Sequence, residues 1–164
     1  MNKLTHIDNN GKANMVDVGT KNSTFRTAEA VARIKVSPTL FNMIKNNELK
    51  KGDVLSTAKI AGIQGGKKTS DLIPLCHNIF ISKLDVELKL IDEYNTIEII
   101  SYAKTEGQTG IEMEALTAVS IAALTVYDMC KAVDKSIIIN EIKLVKKTGG
   151  KSGDFHREEN KVEK

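Results

Sequence analysis

Tryptophan is absent, and four Phe and three Tyr bring the aromatic share of the 164 residues to only 4%. RNA-binding sheets stack bases on paired aromatic side chains, and no segment that reads here as a central strand offers such a pair. Two cysteines, Cys76 and Cys130, are too few and too far apart to form a disulfide framework, so free thiols are expected. Only two prolines occur, Pro38 and Pro74, and with no repeat and no low-complexity tract the chain shows no internal linker. Long apolar runs are missing too: the longest uncharged stretch, residues 115–127, is thirteen residues, against the roughly 20 that a membrane helix needs. No membrane span is expected. No positively charged run followed by an apolar core opens the chain, so a cytoplasmic location is the default expectation. Neither sign of charge dominates. Twenty-four Lys and Arg against 21 Asp and Glu leave +3, which suits an anionic ligand without demanding nucleic acid.

What is present is the balance of a folded globular protein, 41% hydrophobic and 27% charged, at a length that suits one core. Segments 1–12 and 151–164 are polar and charged and read as solvated, mobile ends, leaving one compact unit over 13–150. Within it, Ala28, Ala30, Ala32, Ile34 and Val36 alternate with polar residues at the period of a half-buried strand, although their alanine content leaves a helix as the competing reading. Ser37-Pro38 suits a helix start, with Leu40, Met43 and Ile44 on one face. A second helix is predicted over 54–63. Leu84, Val86, Leu88 and Leu90 alternate again, residues 92–95 read as a turn, and 96–105 as the return strand of a hairpin. Thr109 and Glu112 have capping-box spacing before an alanine-rich apolar helix reaching Val133, and 137–145 closes the chain as a strand. The order strand, helix, helix, strand, strand, helix, strand predicts a split βαβ, ferredoxin-like α+β sandwich, with helices on one face of an antiparallel sheet.

The long helix is apolar nearly all round, yet it carries Glu112, Glu114 and Asp128, with Lys131 following. Acids in a first helical turn complement the helix dipole, so Glu112 and Glu114 can be structural or functional. Asp128 sits near the other end, where the dipole disfavours an anion, and its apolar neighbours are expected to raise its proton affinity. With Lys131 three residues on, it is either a structural ion pair or an acid and a base tuned for proton transfer. Fourteen residues of helix separate Glu114 from Asp128 by roughly 21 Å along the axis. If both act on one small substrate, the site is built between subunits.

Lysines stand beside glycines at Lys50-Lys51-Gly52, Gly65-Gly66-Lys67-Lys68 and Lys146-Lys147-Thr148-Gly149-Gly150-Lys151, segments able to approach phosphate oxygens or merely to carry solvated loop charge. Two imitate the end of a phosphate-binding loop, but Ala61 and Val145 stand where its first glycine is required, which excludes a P-loop NTPase. Cys76-His77 has no partners at zinc spacing among His6, His156 and Cys130, so no metal is expected. His77 is the only histidine outside the two ends. It is either a structural imidazole or a proton shuttle.

Four segments, Lys51-Gly52-Asp53-Val54-Leu55, Leu72-Ile73-Pro74-Leu75-Cys76-His77, Thr109-Gly110-Ile111-Glu112-Met113-Glu114-Ala115-Leu116-Thr117 and Tyr127-Asp128-Met129-Cys130-Lys131-Ala132, together resemble the MoaC family of cyclic pyranopterin monophosphate synthases in molybdenum cofactor biosynthesis. Leu4-Thr5-His6, Met15-Val16-Asp17-Val18 and Gly149-Gly150-Lys151-Ser152-Gly153 also match, extending the resemblance over about residues 4–153. The resemblance implies conversion of 3′,8-cyclo-7,8-dihydro-GTP into cyclic pyranopterin monophosphate and pyrophosphate, without a redox cofactor. It further implies Asp128 as catalytic acid or base, Lys131 as its partner and Lys51 as a third active-site group. Leu75, Cys76, His77, Met113 and Glu114, with Glu112, would line the substrate pocket. Arg26, Lys67 and Lys147 match positions of its charged part. A hexamer built as a trimer of dimers, with sites at the dimer contact, is implied as well. Two departures stand out: Gly65-Gly66 where alanines are common, each costing about 1 kcal/mol relative to Ala in a helix interior, and Lys68 in place of an arginine. The glycine pair predicts an early end to the second helix. The competing class is a non-catalytic module that binds a nucleotide or single-stranded nucleic acid.

Overall fold

The computed structural model describes residues 11, 12, 14–17, 19 and 22–158. His6 and most of segment 1–12 lie outside the described residues, as does 159–164. In chain order the elements are β1 (Thr24–Lys35), α1 (Pro38–Lys45), α2 (Val54–Lys67), α3 (Thr69–Leu72), β2 (Lys83–Ile91), β3 (Thr96–Gly107), α4 (Glu112–Cys130), β4 (Ile138–Thr148) and β5 (Phe155–His156). The strands form one sheet in the order β2-β3-β1-β4-β5, every neighbour antiparallel. With β3 between β1 and β2, and β1 between β3 and β4, two split βαβ units interlock. This is the α+β, ferredoxin-like arrangement that the element order predicts.

The two-residue period of β1 settles its alanines as a strand. Ala28, Ala30, Ala32 and Ile34 are fully buried beside Ile97, Ile99 and Ala103 of β3 and Val86 of β2. Small side chains on that face let the alanine face of α4, Ala115, Ala118, Ala122 and Ala123, approach the sheet. The Ser101 hydroxyl of β3 donates to the Ala115 carbonyl at 2.8 Å and pins the start of α4. The other sheet face carries charge instead: Arg33 pairs with Glu98 at 2.8 Å and Glu141 at 3.1 Å.

Ser37 caps α1, accepting from the Leu40 amide with Pro38 in the first turn, as expected. The hairpin turn closes at Asn95, which takes the left-handed conformation at φ 47°. Three boundaries differ from the sequence expectation. Helix α2 does not end before its glycines but runs through them to Lys67, where close packing on Ile121 and Glu114 of α4 and on Leu84 of β2 leaves no room for side chains at 65 and 66 and holds the glycines in the helix. Thr109 makes no capping box: α4 begins at Glu112 with Ile111 at its N-cap and no side-chain cap bond, and the Glu112 carboxylate turns to Lys147. The helix also stops at Cys130 rather than Val133, where the amides of Val133 and Asp134 fold back onto the Cys130 carbonyl. Residues 155–156, within the segment read as a tail, add a short strand against Lys146 and Lys147.

Helix α4 is long and apolar enough to cross a membrane by length and composition, but it packs as a core helix, one side on the sheet and another against α2, which lies beside it on the same face.

Candidate active site

Because Gly62 packs on Ala118 and Ala122 while Gly66 packs on Glu114 and Ala118, α2 runs antiparallel to α4. The start of α2 therefore meets the end of α4, and the end of α2 meets its start. Lys51 and Lys131 gather at Asp128 at the first of these ends, while Lys147, Cys76 and the end of α2 gather at Glu112 and Glu114 at the second.

At the C-terminal end of α4, Asp128 is held between two ammonium groups. Lys131 Nζ stands 2.7 Å from Asp128 Oδ1. Lys51, in the turn before α2, donates to the Asp128 carbonyl at 2.9 Å and lies 3.5 Å from Oδ2. Lys51 thus also satisfies an acceptor of the open last helical turn. The turn itself is fixed by Asp53, whose carboxylate caps α2 by accepting from the Ser56 amide at 2.9 Å. Contrary to the sequence expectation, Asp128 is not sunk among apolar neighbours: its side chain is 61% exposed. Its carboxyl is held below the usual aspartate value by the hydrogen bond from Lys131, then by the charges of Lys131 and Lys51. Lys131 is raised in turn by Asp128. A carboxylate base and an ammonium acid thus stand side by side at neutral pH.

At the N-terminal end the environment is reversed. Glu114 is buried, 4% exposed, and burial pushes its carboxyl above the usual range, the neighbouring Glu112 adding to the effect. Cys76 is half-buried, and its thiol is raised first by burial and then by the charge of Glu114. Glu112 pairs with Lys147 of β4 at 3.2 Å, and the Lys147 ammonium also donates to Ser152 Oγ at 2.7 Å. Leu75 and Met113 present exposed apolar surface here, 36% and 38%. Lys67 ends α2 beside the residue that touches Glu114, with its side chain exposed. His77 reaches Val16, whose carbonyl lies 2.8 Å from Nε2, so this nitrogen carries the proton. Arg26 spends two donors on the carbonyls of Gly107, at 3.0 Å, and Gln108, at 3.2 Å. The roles of Ser152 and the Val16 carbonyl were not assigned from sequence, although both lie in motifs quoted above.

Within one chain the two clusters do not meet, since unbroken α4 separates them. Both cysteines are free, and burial pushes the Cys130 thiol to about 11, an inert core group. Among the described residues no group of three or more His, Cys, Asp or Glu converges as a metal site would require.

The fold is ferredoxin-like α+β, and its core helix bears the Lys51–Asp128–Lys131 ion-paired cluster at one end and the buried Glu114, next to the Glu112–Lys147 pair, at the other. The MoaC family model matches residues 15–150, and the chain belongs to that family. A cyclic pyranopterin monophosphate synthase of Peptoclostridium acidaminophilum is 60% identical over 156 residues, 95% of this chain and 98% of the relative. Proteins of the same name from Clostridium acetobutylicum and Heliobacterium modesticaldum are 54% and 52% identical, covering 94% and 97% of this chain and 96% and 100% of theirs. Among solved structures, the full extracellular region of zebrafish Gpr126/Adgrg6 aligns with a TM-score of 0.30 and 11% identity over 82% of this chain and 14% of that one, too slight a likeness to carry any argument.

Proposed function

We propose that this chain is a lyase-type synthase that converts 3′,8-cyclo-7,8-dihydro-GTP into cyclic pyranopterin monophosphate and pyrophosphate by general acid–base catalysis, in the cytoplasm. The observation that carries the reading is the Lys51–Asp128–Lys131 cluster. Opening and reclosing a purine-derived ring requires protons to move on and off nitrogen and oxygen. Asp128, ionised, accepts a proton; Lys131, charged, donates one; Lys51 balances the charge beside them. Closing the cyclic phosphate breaks the bond from the α-phosphorus to the pyrophosphate, leaving negative charge on the departing group. Lys67 and Lys147 offset that charge, with Arg26 behind Lys147 at the same end of the fold. Lys147 pairs with Glu112 within the chain, and binding of the triphosphate would exchange that anionic partner for another. Leu75, Cys76, His77, Met113 and Glu114 line the wall against the base-derived rings.

The axial span of α4 supports an assembly in which each pocket takes Glu114 from one protomer and Asp128 from another, within a hexamer arranged as a trimer of dimers. Neither nucleic acid nor a membrane takes part. The test is incubation of the purified chain with the cyclised GTP derivative while pyrophosphate release is followed. Stoichiometric pyrophosphate and pterin support the reading; binding without turnover replaces it with a nucleotide-binding module.

A further inference from the structure

Two loops meet at the N-terminal end of α4: residues 108–111, which join β3 to Glu112, and residues 149–153, which follow Lys147 and the end of β4. Arg26 of β1 stands between them. Its Nε–H and Nη2–H donate to the carbonyls of Gly107 and Gln108, so that edge of the guanidinium fork is occupied. The remaining corner, Nη1, lies against Gly150. This glycine has φ +84°, and a Cβ built on it would collide with Nη1. Gly149, at φ +82°, lies equally close to the Phe25 carbonyl, and its amide donates to Asp154 at 2.9 Å. Thr27 and Thr148 share a hydroxyl–hydroxyl bond of 2.6 Å across the same strand pair. Glu112, the first residue of α4 after the first loop, meets Lys147, at the root of the second, at 3.2 Å.

We infer that Arg26 is a positioning residue that staples these two loops, with Gly150 as the residue that makes room for it, and that it sets the Glu112–Lys147 spacing instead of acting as a ligand of the substrate's phosphates. The inference rests on the synthase reading above and refines it. A bidentate phosphate contact needs two donors converging from one edge. Here two of the five guanidinium donors, the whole Nε–Nη2 edge, are committed to loop carbonyls, and the Nη1 corner stands where a side chain at 150 would reach. Lysine keeps the charge of arginine but cannot bridge both carbonyls while filling the space against Gly150.

The test compares Arg26→Lys, Arg26→Ala and Gly150→Ala in the full chain. Three readouts are taken: kcat and KM for the cyclised nucleotide, the Kd for inorganic pyrophosphate, and amide hydrogen exchange over 107–112 and 149–153. A staple predicts that all three variants lower kcat by about 10- to 100-fold, the scale of a small misplacement of reacting groups. KM and pyrophosphate affinity stay near wild type, and both loops exchange faster. The reverse pattern overturns it: Arg26→Lys keeps the wild-type kcat, and Arg26→Ala weakens pyrophosphate binding tenfold or more (about 1.4 kcal/mol) while the loops stay protected. If Gly150→Ala does not fold, Arg26→Lys alone decides. If the wild-type chain gives no turnover, the synthase reading fails, and the pyrophosphate and exchange measurements still decide the role of Arg26.

Discussion

Gly66 packs against the main-chain carbonyl of Glu114: a Cβ built at 66 would lie 3.0 Å from that oxygen, 3.2 Å from the Ala118 Cβ and 2.5 Å from Leu84 Cδ2. At Gly65 the conflict is with Ile121, whose Cβ would lie at 2.7 Å. These contacts set the spacing of α2 and α4, and through it the position of Lys67 relative to Glu114.

Helix propensity and packing therefore oppose each other at these glycines. In an open helix interior, Gly→Ala gains about 1 kcal/mol. Forcing a methyl group into a close-packed contact costs about 1–3 kcal/mol. The β-branched Ile121 cannot swing its own Cβ aside, so Gly65→Ala is expected to destabilise the protein, by up to about 2 kcal/mol net. Urea unfolding checks the sign; a higher midpoint would show that the helices have room to part.

Glu114 makes stability depend on pH in the direction opposite to that of an ion-paired carboxylate. Its folded-state pKa is raised, so the folded protein holds the proton more tightly than the unfolded chain. The preference is fully present below the usual glutamate range and is lost as pH rises through the raised value. Glu114→Gln, which cannot ionise, is expected to be more stable than wild type near neutrality, with the advantage vanishing in acid. Urea midpoints measured from about pH 4 to about pH 8 test this; a wild-type midpoint that rises across the same range relative to the variant would contradict it.

Asp128 and Lys131 are exposed, so neither contributes to the core. Asp128→Asn and Lys131→Ala are expected to abolish product formation while leaving the urea midpoint where it was. Because the Lys131 hydrogen bond is the largest influence holding Asp128 down, Lys131→Ala should also move the Asp128 titration upward, read by carboxyl NMR. Turnover near the wild-type rate in either variant would remove the pair from the chemistry.

Much of the fold was legible because β1, β2 and β3 each bury one face, and a two-residue period exposes that directly. The break in the reading came at contacts between elements. Nothing local to Gly65-Gly66 reveals that α4 lies against them, so propensity alone ends the helix too soon. The expected capping box at Thr109 failed for a similar reason, since the Glu112 carboxylate finds Lys147 from a strand 35 residues on, not the amide beside it. Asp128 was misplaced because α4 is apolar nearly all round, which hides from the sequence which of its faces is wet. The candidate site residues stood out in the sequence as types and motifs. Their division between the two ends of α4 followed from helix length, but the antiparallel packing that brings Lys51 to Asp128 and Lys67 towards Glu114 did not.

The central claim is that one pocket draws Glu114 and Asp128 from different copies of the chain. Mixed oligomers of Asp128→Asn and Glu114→Ala subunits test it directly. Each variant alone is impaired at every pocket, but in a shared arrangement some pockets of the mixture receive both wild-type residues. Recovery of pyrophosphate release on mixing is the predicted result. Mixed assemblies, verified by mass, that stay as inactive as their parents would place the whole site within a single chain.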